Sequence, residues 1–141
     1  MRLVVDSNIL FTFFWKNSCT KEFLHKFHEK GFFLYSPEFS LSEIKKYTDE
    51  IIIRAKISTS EFEKLLNELS SIVKFLPLDK YKDFFDIAIM VCPDSDDADF
   101  FALAMNLGCP LWSNEKQLKN QNKIDVINTK ELIDLVARMV Q

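Results

Sequence analysis

Arg2-Leu3-Val4-Val5-Asp6-Ser7-Asn8 is the stretch on which the fold turns. Its β-branched, apolar run has the pattern of a strand buried on both faces, and it ends on a carboxylate, a residue type that strands avoid. A buried strand that delivers an acid at its carboxyl end belongs to an open parallel sheet, where ligands bind just beyond the strand ends.

Working outward, strands and helices alternate. A helix is expected over 8–15, and another over 21–30 with Phe23, Leu24 and Phe27 on one face and Gly31 as its C-terminal cap. A strand follows at 32–35. Ser40-Leu-Ser-Glu43 has the S-x-x-E form of a capping box, which predicts a helix starting there and running through Ile44, Tyr47 and Ile51 toward Arg54. Ser60 opens the next helix, with Phe62, Leu65, Leu66 and Leu69 on one side. A strand at 73–76 stops at Pro77, and residues 80–91 read as one helix. The acidic turn Pro93-Asp-Ser-Asp-Asp97 leads into a small-residue helix from Asp97 to about Leu107, closed by Gly108. Strands around Leu111 and at 125–127 and a helix over 129–140 complete the chain. The expectation is an α/β fold in three α/β/α layers around a mostly parallel sheet of four to five strands, with residues 1–141 as a single domain.

The 141 residues are 48% hydrophobic, enough for a core without disulfides or structural zinc. Two glycines, Gly31 and Gly108, are too few and too far apart for a dinucleotide-binding or phosphate-binding glycine loop. Three dispersed cysteines fit neither a disulfide framework nor zinc spacing and suggest a reducing compartment. With no apolar run of membrane-spanning length and no cleavage-site pattern, a cytoplasmic protein away from membranes is expected.

Four acids stand where strands end or helices begin: Asp6, Glu43, Asp97 and Glu115. The last two are 115 − 97 = 18 residues apart, room for one helix and one returning strand, so both return to the same sheet edge. Each has a plainer reading: Glu43 as the return member of a capping box, Asp97 as a helix-dipole partner, Glu115 as a solvated loop acid. Asp6 has none as good. Two carboxylates about 4 Å apart repel by about 1 kcal/mol in water and about 4 kcal/mol at an effective dielectric of 20. A divalent cation offsets that, and oxygen ligands without His or Cys favour Mg2+ or Mn2+. Phosphodiester hydrolysis is the chemistry that suits such an ion. His25 and His28 share a helix face without a third ligand and read as solvated. Lys45, Lys46, Arg54 and Lys56 are the nearest approach to a basic patch.

Asp6-Ser-Asn8, Glu43 within Pro37-Glu-Phe-Ser-Leu-Ser-Glu-Ile44, Asp94-Ser-Asp-Asp-Ala98 before Phe101-Ala-Leu-Ala-Met-Asn-Leu-Gly108, and Leu111-Trp-Ser-Asn-Glu-Lys-Gln-Leu118 together resemble the PIN domain, in the family's order and over nearly the whole chain. The resemblance implies a metal-dependent ribonuclease like the VapC-type toxins and related stand-alone prokaryotic proteins. Under it, Asp6, Glu43, Asp97 and Glu115 form the acidic metal-binding quartet, supported by Ser7, Asn8 and Ser113, with Asp96 and Asp99 as alternative or auxiliary ligands. The fourth acid is more often Asp in the family. RNA is the implied substrate and an antitoxin protein a candidate partner. A homodimer is expected through exposed members of the 14 phenylalanines in the first helices. The competing reading is a catalytically silent PIN-like module that binds RNA or protein. A phosphatase using an aspartyl-phosphate is disfavoured because Asp6-Ser-Asn8 lacks a second aspartate. Without the four site acids, 17 acids face 18 bases, so the net charge of −3 resides in the proposed pocket.

Overall fold

The computed structural model describes residues 1–139. Five strands, β1 (Arg2–Val5), β2 (Phe33–Pro37), β3 (Val73–Leu76), β4 (Leu111–Trp112) and β5 (Val126–Ile127), form one sheet in the order β3-β2-β1-β4-β5. Every pairing is parallel, with Leu3 opposite Leu34, Leu34 opposite Val73, Val5 opposite Trp112 and Trp112 opposite Ile127. The chain winds outward from β1 to β3 and then resumes on the other side at β4. The switch point, where loops diverge and leave a crevice at the strand ends, therefore lies between β1 and β4.

Side-chain alternation along β1 divides the core. Leu3 and Val5 face a cluster built from α1 (Ser7–Thr12), α2 (Thr20–Glu29), α3 (Glu38–Lys46), α4 (Thr48–Ala55), α5 (Thr59–Ile72) and α8 (Thr129–Met139). Val4, Leu111 and Val126 face α6 (Phe85–Val91) and α7 (Ala98–Leu107). This is the three-layer α/β/α arrangement expected. Because each helix crosses over between parallel strands, the amino end of α7 lies at the same sheet edge as the carboxyl ends of β1 and β4. Gly108 closes α7 at φ 61°, with the Gly108 and Cys109 amides donating to the Met105 and Ala104 carbonyls, as expected of a glycine cap.

Four local expectations are corrected. The first is the Ser40–Glu43 capping box: α3 begins at Glu38, directly after the extended Pro37, and Ser40 lies inside the helix. Its hydroxyl is buried, donates back to the Pro37 carbonyl at 2.7 Å and pairs with Ser36 Oγ at 2.8 Å, while Ser36 donates to the Val5 carbonyl. The capping box occurs instead at Ser58 and Glu61, two residues before the expected start at Ser60. Second, the helix expected to continue to Arg54 breaks at Tyr47 (φ −100°, ψ 21°), and Thr48 Oγ1 bonds the Lys45 carbonyl. Third, residues 80–91 are not one helix. Two 3-10 turns, Leu78–Lys80 and Lys82–Phe84, precede α6, because Tyr81 leaves helical dihedrals (φ −129°) as its ring enters the core.

Fourth, phenylalanines of the first helices present no exposed face. Phe13, Phe14 and Phe27 are buried and Phe11 and Phe23 half-buried; the exposed phenylalanines are Phe33, on β2, and Phe39, on α3. His25 does not stand free in solvent either, since its Nε2 lies 2.5 Å from Glu68 Oε1 on α5. The terminal helix is capped at Asn128, whose side chain bonds the Glu131 amide while Glu131 returns a bond to the Asn128 amide. Val140, its expected last residue, lies outside the described residues.

Candidate active site

Asp6 is the first residue beyond β1 and is 1% exposed. It begins α1 yet makes no side-chain cap. Its Oδ2 instead accepts the Ser113 hydroxyl at 2.6 Å, from just beyond β4. The same Ser113 oxygen accepts the Glu115 amide at 3.1 Å. One hydroxyl thus joins the acids from the two strands flanking the switch point. Asn8, two residues after Asp6, donates its side-chain amide to Glu115 Oε1. Ser113 and Asn8 thus each bond one of the acids, Asp6 and Glu115 respectively. Ser7 lines the cleft above.

Asp97 closes a 3-10 turn (Ser95–Asp97) before α7, with φ −96° and ψ 4°. Its side chain caps nothing, so the carboxylate is left to the cleft. Burial, then Asp6 and Glu115, then Asp94 and Asp96, push its carboxyl up to about 7. Burial also raises Asp6, partly offset by the Ser113 bond and added to by Glu115. The mutual effect of Asp6, Asp97 and Glu115 means that three segments more than a hundred residues apart at their extremes bring their charges to one place.

Glu43 reaches the same place from another direction. Starting α3 at Glu38 puts it in the second turn, where it lines a cleft of about 570 Å3 together with Asn8, Asp97, Asp99 and Glu115. The buried Ser36 and Ser40 fix that helix to the ends of β1 and β2, and sequence reasoning missed this role. Asp96 and Asp99 border the cleft as well. The Asp96 amide donates to Asp94 Oδ1, forming the turn, while Asp99 Oδ2 accepts the buried Tyr81 hydroxyl at 2.6 Å. Burial and the bond to Asp99 push the Tyr81 hydroxyl well above its usual range. Tyr81, Asp94, Phe39 and Tyr47 were not anticipated. The buried tyrosine carried no periodic signal of its partner, but the D-x-x-D spacing of Asp94 and Asp97 was visible.

Among the described residues, no three His, Cys, Asp or Glu side chains close into a ready ligand set. The donors are all oxygen: Glu43, Asp97 and Glu115 line the cleft, whereas Asp6 is buried and is not part of its lining; Mg2+ is commonly held through one or two carboxylates, waters and substrate phosphate. Burial raises Asp97 most, and the repulsion from Asp6 and Glu115 that adds to it is what such an ion would relieve.

A family model described as the PIN domain matches residues 4–135. This chain belongs to the PIN-domain family. No curated protein sequence matches it. Among solved structures, the PIN-domain chain described here is similar to one titled VapBC2 from Rickettsia felis bound to a DNA fragment from their promoter. The TM-score is 0.67, at 13% identity, over 91% of this chain and 98% of the other. At that identity the likeness is one of fold. The family is one of nucleases.

Proposed function

We propose that this PIN-domain protein is a Mg2+- or Mn2+-dependent endoribonuclease, with Asp6, Glu43, Asp97 and Glu115 as its acidic site. The observation that carries the reading is the convergence of Glu43, Asp97 and Glu115 on one cleft, with Asp6 and Glu115 joined through the Ser113 hydroxyl. Acids crowded in and beside one cleft, with none of their side chains used as a helix cap, support a cation there. The bound ion would supply charge neutralisation at the scissile phosphate and a more acidic attacking water.

The remaining work belongs to the chain. Ser113 keeps one Asp6 oxygen bonded and so fixes the direction of the other. Asn8 and the Ser113 hydroxyl hold Glu115 from its side chain and its amide, so that the longer glutamate in place of an aspartate is held rather than free. Glu43 comes from α3 and lines the cleft with Asp97 and Glu115. Asp97 would hold the ion as a carboxylate, and the ion's charge would offset the repulsion from Asp6 and Glu115. The RNA substrate is favoured by the family, and an antitoxin chain is proposed as partner by analogy with the VapBC2 complex. The homodimer and the cytoplasmic location remain part of the same proposal.

The test is to incubate labelled single-stranded and structured RNA with purified protein, Asp6→Asn and Asp97→Asn, in Mg2+, Mn2+ or EDTA. Cleavage by the wild type with either ion, lost in EDTA and reduced at least about a hundredfold in both variants, is expected. Cleavage that survives EDTA, or equal cleavage by the variants, contradicts the proposal.

A further inference from the structure

The acidic cleft does not end at Glu43. Past Asn8 and Phe11 it continues into a groove of about 280 Å3 lined by Phe11, Trp15, Tyr47, Glu50, Ile51 and Arg54. Two large aromatic side chains stand partly in water along this path, Tyr47 at 39% and Phe39 at 45% exposure. Tyr47 sits where α3 breaks from α4, and the break turns its ring into the seam between cleft and groove. The Lys46 ammonium lies 5.4 Å from the centre of that ring, and Arg54 stands farther along the groove. Neither cation takes part in an ion pair among the described residues, although Glu50 is close in sequence to Arg54. One continuous surface thus runs from carboxylates, through exposed rings, to unpaired cations.

We infer that the Tyr47 groove is a nucleotide subsite: a base of single-stranded nucleic acid stacks on Tyr47, Phe39 bounds the cleft beside it, and Lys46 and Arg54 meet a neighbouring phosphate. This rests on the nuclease reading for the strand's direction into the acidic end, and it adds where the strand goes next. Rings and unpaired cations are the two groups that single strands use without sequence preference, because every base has a face to stack and every nucleotide a charge. An apolar peptide would use the rings but leave the two cations without a partner. A duplex would keep its bases inside the helix, away from Tyr47.

Binding is measured with EDTA present, at low salt, by the fluorescence anisotropy of labelled ten-nucleotide single-stranded RNA, so that cleavage has no part in the signal. Tyr47→Ala is expected to weaken binding roughly five- to tenfold, whereas Tyr47→Trp and Tyr47→Phe keep it, with melting curves confirming that each is folded. Among oligonucleotides each carrying one abasic position, one should bind less tightly to the wild type, with no such penalty in Tyr47→Ala. Trp15 fluorescence should be quenched on binding, while the fully buried Trp112 should not respond. Unchanged affinity in both Tyr47→Ala and Phe39→Ala overturns the proposal and leaves the groove to a protein segment. So does an abasic penalty of the same size in wild type and Tyr47→Ala. Since no metal is used, a failure of RNA cleavage elsewhere would leave this binding difference readable.

Discussion

Asp97 carries a proton to about pH 7 in the folded protein, whereas in the unfolded chain it loses it near 3.8. Between those values the native state holds a proton that the unfolded state has released, so stability falls as pH rises through that window and levels off above it. Asp6, also raised, adds in the same direction. The melting temperature of the metal-free protein should therefore decline from about pH 4 to about pH 7. Asp97→Asn should lessen the slope and melt higher than wild type at pH 8, while the proposed cleavage falls at least about a hundredfold. An identical dependence of melting temperature on pH in wild type and Asp97→Asn would refute the placement of these acids. Ser113→Ala is expected to act the opposite way to Asp97→Asn. It removes a hydroxyl that bonds buried Asp6, at a cost of about 1–3 kcal/mol in denaturant unfolding.

Among the elements, those carrying the site are the ones whose ends depart from simple periodicity. Ser40-x-x-Glu43 fits a capping box, and nothing local in the sequence distinguishes that from a serine buried one turn inside a helix. What decides it is Ser36 on the neighbouring strand, which offers Ser40 a partner that only the assembled sheet supplies. Released from capping, Glu43 faces the cleft. The helix expected over 80–91 failed for a related reason. Tyr81 fits a helical stripe, but its ring is drawn into the core and its hydroxyl to Asp99, breaking the segment into 3-10 turns. Tyr81→Phe keeps the ring and loses the bond that joins those turns to α7. It should lower unfolding free energy by about 1.5–3 kcal/mol, read in urea, and slow cleavage by disturbing the start of α7 rather than by touching substrate.

At the scale of the molecule, the alternation of strands and helices was legible because each element has its own period, and the strand at 73–76 matches β3 residue for residue. The order β3-β2-β1-β4-β5 was not, since it depends on which crossovers pass over which face of the sheet. The site was legible for a topological reason: in such a sheet, residues after β1, after β4 and before α7 share one edge regardless of strand order. Asp6, Asp97 and Glu115 meet there, while Glu43 needed the correct start of α3. Exposed apolar side chains were harder to foresee, and α6 keeps Ile87, Ile89 and Met90 at the surface where the early phenylalanines were expected. Gly108 anchors the return from α7 to β4 in the left-handed region. Gly108→Ala should therefore destabilise by about 1 kcal/mol, although no atom lies near enough to clash.

Calorimetric titration of Mn2+ into the metal-free protein at pH 7.5, beside Asp97→Asn and Glu43→Gln, tests the central claim most directly. A saturable site in the wild type, weakened at least about tenfold in both folded variants, is the result predicted. Mn2+ binding of equal affinity in all three proteins, or none in the wild type up to millimolar ion, would contradict it.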